Sequence, residues 1–358
     1  MKWFLIPIAL ISVFGIRFQK NGFRQDYLGI ASTTAINGIF TMLVMFDHIK
    51  GSLNSLAAPG EKVAFSAGGG LSKYLSFGQL VVVTFLFFSG YAIAQSLLKK
   101  PDYLREMPKN RLLRVWFHFA CAILVYLIVG LCMQNELKPG TVLFSFIGWK
   151  SIGNSNWYMF DTFCLYIITI AAFRIGKKKP VPSIAIVTGL TLALIGGLYL
   201  LKADYVFYDT IILYPLGMWF SVLQPGFTRF VQKNTATYIF SLFAAGALFA
   251  VFHFLRIYTG VYLFFEPEAL ALVLTIVIAL MKFKIGNPVL NWLGKNLFWV
   301  YILQRLPMNV MNRYVPNINT YVYVVITVAV TVALTFGFSA AFKPIDKKLF
   351  PKKATSAA

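Results

Sequence analysis

Long apolar runs, repeated along almost the whole chain, constrain the fold of this protein more than any other feature. A run of about 20 apolar residues is long enough to cross the hydrocarbon core of a membrane as an α-helix. The runs are continuous rather than alternating, which disfavours a transmembrane β-barrel. The sequence therefore predicts an all-α fold, a polytopic transmembrane helix bundle of about 10–11 spans. The eleven runs cover roughly 3–16, 28–49, 77–98, 112–133, 157–174, 184–201, 208–223, 237–254, 261–281, 297–313 and 321–342.

The composition agrees with this fold class. Hydrophobic residues make up 58% of the chain and charged residues only 13%, with a mean hydropathy of +0.71. A soluble domain of this length needs far more charge on its surface. The net charge of +21 is typical of basic loops at the cytoplasmic face of a membrane, and no basic cluster lies on a soluble domain. We therefore expect membrane lipid, and no nucleic acid, as a partner.

The distribution of Lys and Arg predicts the orientation of the spans. With the 17–27 segment in the cytoplasm, the inner segments carry 23 of the 33 Lys and Arg residues, as the positive-inside rule requires. The first run has no small-residue cleavage site, and Arg17 and Lys20 follow it closely. We interpret it as a retained helix rather than a signal peptide. The N-terminus is then outside and the C-terminus is cytoplasmic.

The predicted chain has three segments. Residues 1–25 form an additional N-terminal membrane helix and basic loop, 26–342 a membrane domain, and 343–358 a basic cytoplasmic tail. The seventh and tenth spans are short, and Pro215 and Pro307 should kink or interrupt them. The run "SAGGGLS" in the loop after the second span is not a phosphate-binding loop, because no strand precedes it and no GK[ST] follows.

The second span carries more polar residues than a lipid-facing helix tolerates. Asn37 and His48 are 11 residues apart, so on a helix they lie on nearly one face, separated by about 16 Å, with Thr41 on the same stripe. Such a stripe should face a protein-lined or water-filled interior. His48 can exchange protons near neutral pH, as a general base must, and Asp47 could orient it. The alternative, which carries equal weight here, is that Asp47 and His48 only mark the membrane–water interface.

A second cluster of interest is the basic stretch that leads into the fourth span. Arg111 and Arg114 are three residues apart and should lie one above the other on a helix. Two stacked guanidinium groups suit phosphate recognition. Anchoring of the helix at the cytoplasmic face is the competing explanation for this cluster, which also contains Lys99, Lys100, Arg105 and Lys109.

Four further polar residues lie at membrane depth, where each needs a partner or a functional reason. They are candidates for contacts with a substrate or a channel: Asp161, Glu266, Gln304 and Arg305. His118 and His253 lie in aromatic runs, and we interpret them as packed, hydrogen-bonded histidines. The three cysteines have no metal-ligand or disulfide spacing, and we expect no metal.

Four stretches in order resemble the acyltransferase-3 family of integral-membrane acyltransferases. They are "NGIFTMLVMFDHI", "FLFFSGYAIAQSLLKKPDYLREMPKNRLLRVW", "SNWYMFDTFCLYII" and "LGKNLFWVYILQRLP". They match the family's opening helix, its FF-x-SG segment with an R-x-x-R pair, its Trp-aromatic start of a central helix, and its late G-K segment. One departure is Asn37, which stands where the family usually has Arg or Lys 11 residues before the histidine.

The resemblance implies an acyl-CoA-dependent O-acyltransferase of a bacterial cytoplasmic membrane. The phosphates of acyl-CoA, most simply acetyl-CoA, would meet Arg111 and Arg114, and Trp157 and Tyr158 would line a channel for the acyl arm. His48 would take a proton from a hydroxyl of an extracytoplasmic glycan or glycolipid, with Asp47 tuning it. Asn37 can still hydrogen-bond but cannot act as a cation, so either another group such as Arg305 substitutes, or the donor is handled differently, or activity is reduced. A transporter or flippase of a glycan or lipid precursor is the alternative, although the sequence shows no convincing internal repeat.

Overall fold

The computed structural model describes residues 2–56 and 78–351 and shows an all-α protein. The "SAGGGLS" run, Lys352 and Lys353 lie outside these residues. The helices are α1 (Leu5–Val13), α2 (Ile30–Leu56), α3 (Leu80–Lys99), α4 (Tyr103–Met107), α5 (Arg114–Cys132), α6 (Pro139–Ser145), α7 (Trp157–Ile175), α8 (Pro180–Leu200), α9 (Leu213–Val231), α10 (Thr235–Thr259), α11 (Phe265–Leu280), α12 (Pro288–Lys295), α13 (Leu297–Leu303), α14 (Arg305–Tyr314) and α15 (Thr320–Leu349). A π-helical segment, Pro108–Leu113, joins α4 to α5 without a break.

Within the described ranges, eight helices are long and apolar enough to cross a membrane, which confirms the predicted fold class. Three of the eleven predicted runs are not among them. α1 has only 9 residues, about 14 Å of helix, too short for a hydrocarbon core of about 30 Å. A 3-10 turn, Lys2–Phe4, precedes it directly, and the membrane location of this N-terminal helix stays a prediction. The seventh run is α9, which is long enough, but its sequence is more polar.

The tenth predicted run is interrupted, as its proline suggested, but not at the proline. The helix ends at Leu303 and a new one begins at Arg305, with Gln304 between them. Pro307 lies in the first turn of α14, where a missing backbone N–H removes no helical hydrogen bond. The discontinuity therefore places Gln304 and Arg305, two polar residues, at a helix junction.

The chain divides into two compact units. Unit 1 contains residues 1–100 and 171–297, and unit 2 contains 101–170 and 298–358. In unit 1, α2 packs on α3 and α12, α3 packs on α9, and α10 packs on α11. In unit 2, α14 packs against α15.

Glycines bring the helices of unit 1 into direct backbone contact. A Cβ at Gly38 would lie 2.1 Å from the Leu290 carbonyl oxygen, and one at Gly294 would lie 1.9 Å from that of Thr34. Such distances are far inside van der Waals contact, so only glycine permits this crossing of α2 and α12. Gly90, the glycine of the FF-x-SG segment, allows a similar close crossing of α3 and α9. A Cβ at this position would lie 2.0 Å from the Tyr214 carbonyl oxygen.

A short antiparallel ribbon ties the start of the chain to the segment before α12. Arg17 pairs with Lys284 and Phe18 with Phe283. Arg24, which is buried, donates from Nη1 to the carbonyl oxygens of Leu280 (3.0 Å) and Phe283 (2.9 Å) at the C-terminus of α11. A cation there satisfies carbonyls that the helix leaves unpaired and complements the helix dipole. The charge count placed both segments at the same membrane face, and their pairing agrees with that.

Candidate functional site

α2 presents its predicted polar stripe on an unbroken helix of 27 residues. Asn37 and His48 are both half-buried, and Thr41 is buried and donates from Oγ1 to the Asn37 carbonyl oxygen (2.7 Å). The Oδ1 of Asn37 and the Nδ1 of His48 are themselves shielded from solvent. The stripe therefore faces protein over at least part of its length, as a polar face of a membrane helix requires.

Asp47 forms an ion pair with the Nζ of Lys50 at 2.7 Å, one turn along α2. The carboxylate is thereby held by a neighbour on its own helix. Residues adjacent on a helix point about 100° apart, which is why Asp47 and His48 have different surroundings. The role of Asp47 in tuning His48 stays a prediction.

In unit 2, Asp346 of α15 bridges two residues of α5. Its Oδ2 accepts from Nη2 of Arg114 at 2.5 Å, and its Oδ1 lies 2.7 Å from Nε2 of His118. The His118 ring also stacks on Trp299, with centroids 5.2 Å apart. The carboxylate holds the Arg114 guanidinium in place while the Arg114 side chain stays 37% exposed, which leaves part of it open to an anionic ligand.

The two arginines of the R-x-x-R pair lie on different kinds of helix. Arg111 belongs to the π-helical segment and donates from Nε to the hydroxyl of Tyr103 (3.0 Å), whereas Arg114 is the first residue of α5. π-Helical turns are rare and frequently lie at functional sites. The arginine pair therefore lies where the chain changes from π-helical to regular α-helical geometry.

The polar residues at the α13–α14 junction converge inside unit 2. Arg305 donates from Nε to Oγ of Ser155 (3.0 Å), and Gln304, which is fully buried, donates from Nε2 to the Tyr301 carbonyl oxygen (3.0 Å). Asp161 is fully buried and, like Arg305, lies within electrostatic range of the Tyr301 phenol. Three predicted candidates, Asp161, Gln304 and Arg305, are thus brought together.

The aromatic pair at the start of α7 borders the same region. Tyr158 packs edge-on against Tyr301, with centroids 5.4 Å apart, and Trp157 packs edge-on against Tyr158 at 6.1 Å. The remaining candidate, Glu266, belongs to unit 1, in the first turn of α11. Whether any of these residues lines a channel stays a prediction.

The prediction that His118 and His253 are packed and hydrogen-bonded is confirmed. His253 of α10 lies 2.6 Å through Nδ1 from Oε1 of Glu268, and Arg256 donates from Nε to the other carboxylate oxygen. His253 also stacks on Phe249. Sequence reasoning did not pair the two histidines with their carboxylates, Glu268 and Asp346, because each carboxylate lies on a different helix from its histidine.

A third buried carboxylate, Asp209, lies in the connection between α8 and α9. Its Oδ1 accepts from Nε2 of Gln79 (2.9 Å), and its Oδ2 accepts from the Tyr262 hydroxyl (2.5 Å). Burial raises the pKa of Asp209 to about 7, although these two hydrogen bonds oppose the shift, and the nearby Glu266 carboxylate adds to it. A carboxyl group whose partners are neutral stays protonated to a higher pH than one beside an Arg side chain.

Comparison with protein families identifies the chain. The model of an acyltransferase domain, that of acyltransferase-3, matches residues 32–340. The chain belongs to the acyltransferase-3 family. It is therefore a membrane acyltransferase. Comparison with curated proteins gave no match, and comparison with solved structures gave none either.

The structure separates packing from chemistry in the motifs of this acyltransferase. The glycine of its FF-x-SG segment, Gly90, and the glycine of its G-K segment, Gly294, both serve helix crossings in unit 1. The R-x-x-R pair and the Tyr301–Arg305 stretch instead carry polar groups into unit 2. In the described part of the chain, no group of three His, Cys, Asp or Glu side chains could hold a metal ion.

Proposed function

We propose that this acyltransferase moves an acetyl group from acetyl-CoA at the cytoplasmic face to a hydroxyl of an extracytoplasmic glycan or glycolipid. The observation that carries the proposal is the polar stripe of α2, which places His48, a proton acceptor, in a membrane helix of a chain of this family. An imidazole is the side chain best suited to take a proton at neutral pH.

The proposed chemistry is general-base catalysis by His48. Its imidazole accepts the proton of the acceptor hydroxyl while that oxygen attacks the thioester carbonyl carbon. The new C–O ester bond forms, the C–S bond breaks, and the departing thiolate of CoA takes up the proton. Asn37, which stands where the resemblance expects Arg or Lys, can donate a hydrogen bond from its amide but supplies no charge.

The donor is proposed to bind at the Arg111–Arg114 end of unit 2. Phosphate groups are recognised by guanidinium groups in fixed positions, and Asp346 fixes that of Arg114. The partial exposure of Arg114 leaves room for a phosphate beside the carboxylate. The positive-inside distribution of charge supports a cytoplasmic location for this end.

The deciding experiment measures transfer of radiolabelled acetyl from acetyl-CoA to membrane glycans by wild-type protein and by His48→Ala. Loss of a general base lowers the rate by about 100-fold or more, so we expect the label in glycan to fall by that factor. Asn54→Ala is the matched control, because Asn54 is an exposed residue of the same helix, and it should retain wild-type labelling.

Two results would contradict the proposal. Labelling that is unchanged in His48→Ala removes His48 from the mechanism. A wild-type protein that leaves all glycans unlabelled but changes their distribution across the membrane would instead favour the transporter or flippase.

A further inference from the structure

A polar pocket of about 660 Å³ lies in unit 2, in a region that none of the proposed chemistry uses. Its volume is within the range of about 300–1,000 Å³ that is usual for small-molecule sites. Such sites are normally lined mainly by apolar side chains. This one has a mixed lining, because polar and charged groups accompany its apolar side chains. The polar and charged residues include Glu136, Lys138, Thr141, Asn309, Asn312 and Arg313.

One wall of the pocket is the polar face of α14. Asn309, Asn312 and Arg313 line it, and they stand four, seven and eight residues after Arg305. At 3.6 residues per turn these positions fall on one side of the helix. The stripe therefore runs from the pocket to Arg305, which contacts Ser155 at the buried end of α14.

The amides of this wall are held in place by hydrogen bonds. Asn309 donates from Nδ2 to the Gly153 carbonyl oxygen (3.0 Å), and the Tyr323 hydroxyl donates to Oδ1 of Asn312 (2.9 Å). Fixed polar groups bind a ligand without first losing side-chain entropy. The lining also contains an acceptor, Glu136, and a donor, Lys138, so the pocket offers both partners that a hydroxyl group needs.

The pocket lies at the end of α5 opposite to Arg114. α5 runs from Arg114 to Cys132, 19 residues, or about 28 Å, and Met133, the next residue, lines the pocket. That length equals the hydrocarbon thickness of a membrane. The pocket and the arginine pair therefore lie at opposite membrane faces within one unit.

We propose that this pocket binds a sugar unit of the acyl acceptor, with the polar face of α14 as one wall of the site. The choice of acceptor rests on the proposed function. The binding of a hydroxyl-rich, sugar-sized ligand rests on the pocket itself, on its fixed amides and on its position across the membrane from Arg114.

Protection from thiol labelling tests the pocket without any acyl transfer. In a background with the three native cysteines replaced by serine, Thr141→Cys is labelled with a membrane-impermeant maleimide. The probes are the methyl glycosides of glucose, galactose and N-acetylglucosamine at increasing concentration. We expect labelling to slow about twofold when a glycoside half-occupies the pocket. Lys138→Cys repeats the measurement at a second position of the lining.

The matched control is Leu143→Cys, an exposed residue of the same short helix that does not line the pocket. Protection of residues 138 and 141 but not of 143 supports the proposal. No protection by any glycoside, or equal protection at 143, overturns it. Protection without any acetyl transfer would contradict the proposed function alone, and transfer without protection would contradict the pocket alone.

Kinetics then connect the pocket to the reaction. Asn309→Ala should raise KM for the glycan acceptor about 10-fold, as expected for one lost hydrogen bond of ordinary strength, and leave KM for acetyl-CoA unchanged. Val310→Ala, on the exposed side of the same helix, should alter neither. An equal rise of both KM values for Asn309→Ala would mean a general loss of structure and would contradict a specific role in binding the acceptor.

Discussion

Each of the two units contains a carboxylate that bridges a histidine and an arginine of one neighbouring helix, yet the two clusters differ in exposure. In unit 1, Glu268 joins His253 and Arg256 of α10, and its side chain is 0% exposed. In unit 2, Asp346 joins Arg114 and His118 of α5, and its side chain is 16% exposed.

The difference in exposure separates a structural cluster from one that a ligand can reach. A buried ion pair must satisfy its own charges, because no solvent is present to do so. The unit 1 cluster meets that condition with three protein groups. The unit 2 cluster leaves the Arg114 side chain 37% exposed, against 19% for Arg256. The same arrangement of residue types therefore serves packing in one unit and is available for anion binding in the other.

The largest expected effect comes from breaking the buried cluster. Glu268→Ala leaves Arg256 and His253 without their carboxylate, and removal of one partner of a buried ion pair typically costs about 3–5 kcal/mol. We expect a correspondingly large fall in the free energy of unfolding, measured by thermal unfolding in detergent. Glu266→Ala, two residues earlier on the same helix, is the control and should change stability far less. Equal falls for the two variants would show that the Glu268 cluster has no special role.

A smaller effect is expected at the exposed cluster, and it concerns binding. Loss of one charge-assisted contact costs about 1.5–3 kcal/mol, so Arg111→Ala and Arg114→Ala should each raise KM for acetyl-CoA about 10- to 100-fold. Arg114→Ala should also lower the melting temperature, because it leaves Asp346 with His118 alone. Steady-state kinetics and thermal unfolding of the same preparations measure both quantities.

The double variant Arg114→Ala with Asp346→Ala sharpens this prediction. Removal of both charges should restore part of the melting temperature without restoring KM, since the unpaired carboxylate is gone but the phosphate-binding cation is still missing. If KM for acetyl-CoA is wild-type in Arg111→Ala and Arg114→Ala, the two arginines are only membrane anchors.

The third buried carboxylate supplies the smallest effect for each single step of the measurement, here one pH unit. Asp209 has Gln79 and Tyr262 as partners instead of cations, and its pKa in the folded protein is raised to about 7. The folded protein then binds more protons than the unfolded chain between about pH 4 and pH 7, so stability should fall as pH rises through that range, by at most about 1.4 kcal/mol per pH unit. Melting temperatures should show this slope, and Asp209→Asn should be flatter. A slope that is the same in Asp209→Asn would assign it to other groups.

The fold class followed from the apolar runs, since bilayer thickness fixes helix length whatever the tertiary packing. The bounds of two helices did not follow, for two different reasons. The first run is apolar along its length but forms a helix of only 9 residues, and hydropathy alone does not report where a helix ends. The run at 297–313 is interrupted beside Gln304, a position that its proline indicated only approximately.

Candidate site residues could be chosen from the sequence where the choice depends on spacing within one helix. The stripe from Asn37 to His48 and the pair Arg111–Arg114 could be read from the sequence for that reason. Contacts between helices could not be predicted in this way. Asp346 lies 228 residues from His118, and neither segment contains a pattern that indicates the other as its partner. The polar face of α14 was readable from the spacing of Arg305, Asn309 and Arg313, but attention to Arg305 alone missed it.

The crossing of α2 with α12 affects how the protein is made. About 240 residues separate the end of α2 from the end of α12, and their synthesis takes roughly 12–48 s at ribosomal speeds of about 5–20 residues per second. During that interval, Gly38 and Thr34 of α2 have no native neighbour from α12. The closest helix crossing of unit 1 can therefore form only late in synthesis, after most of the chain has been made.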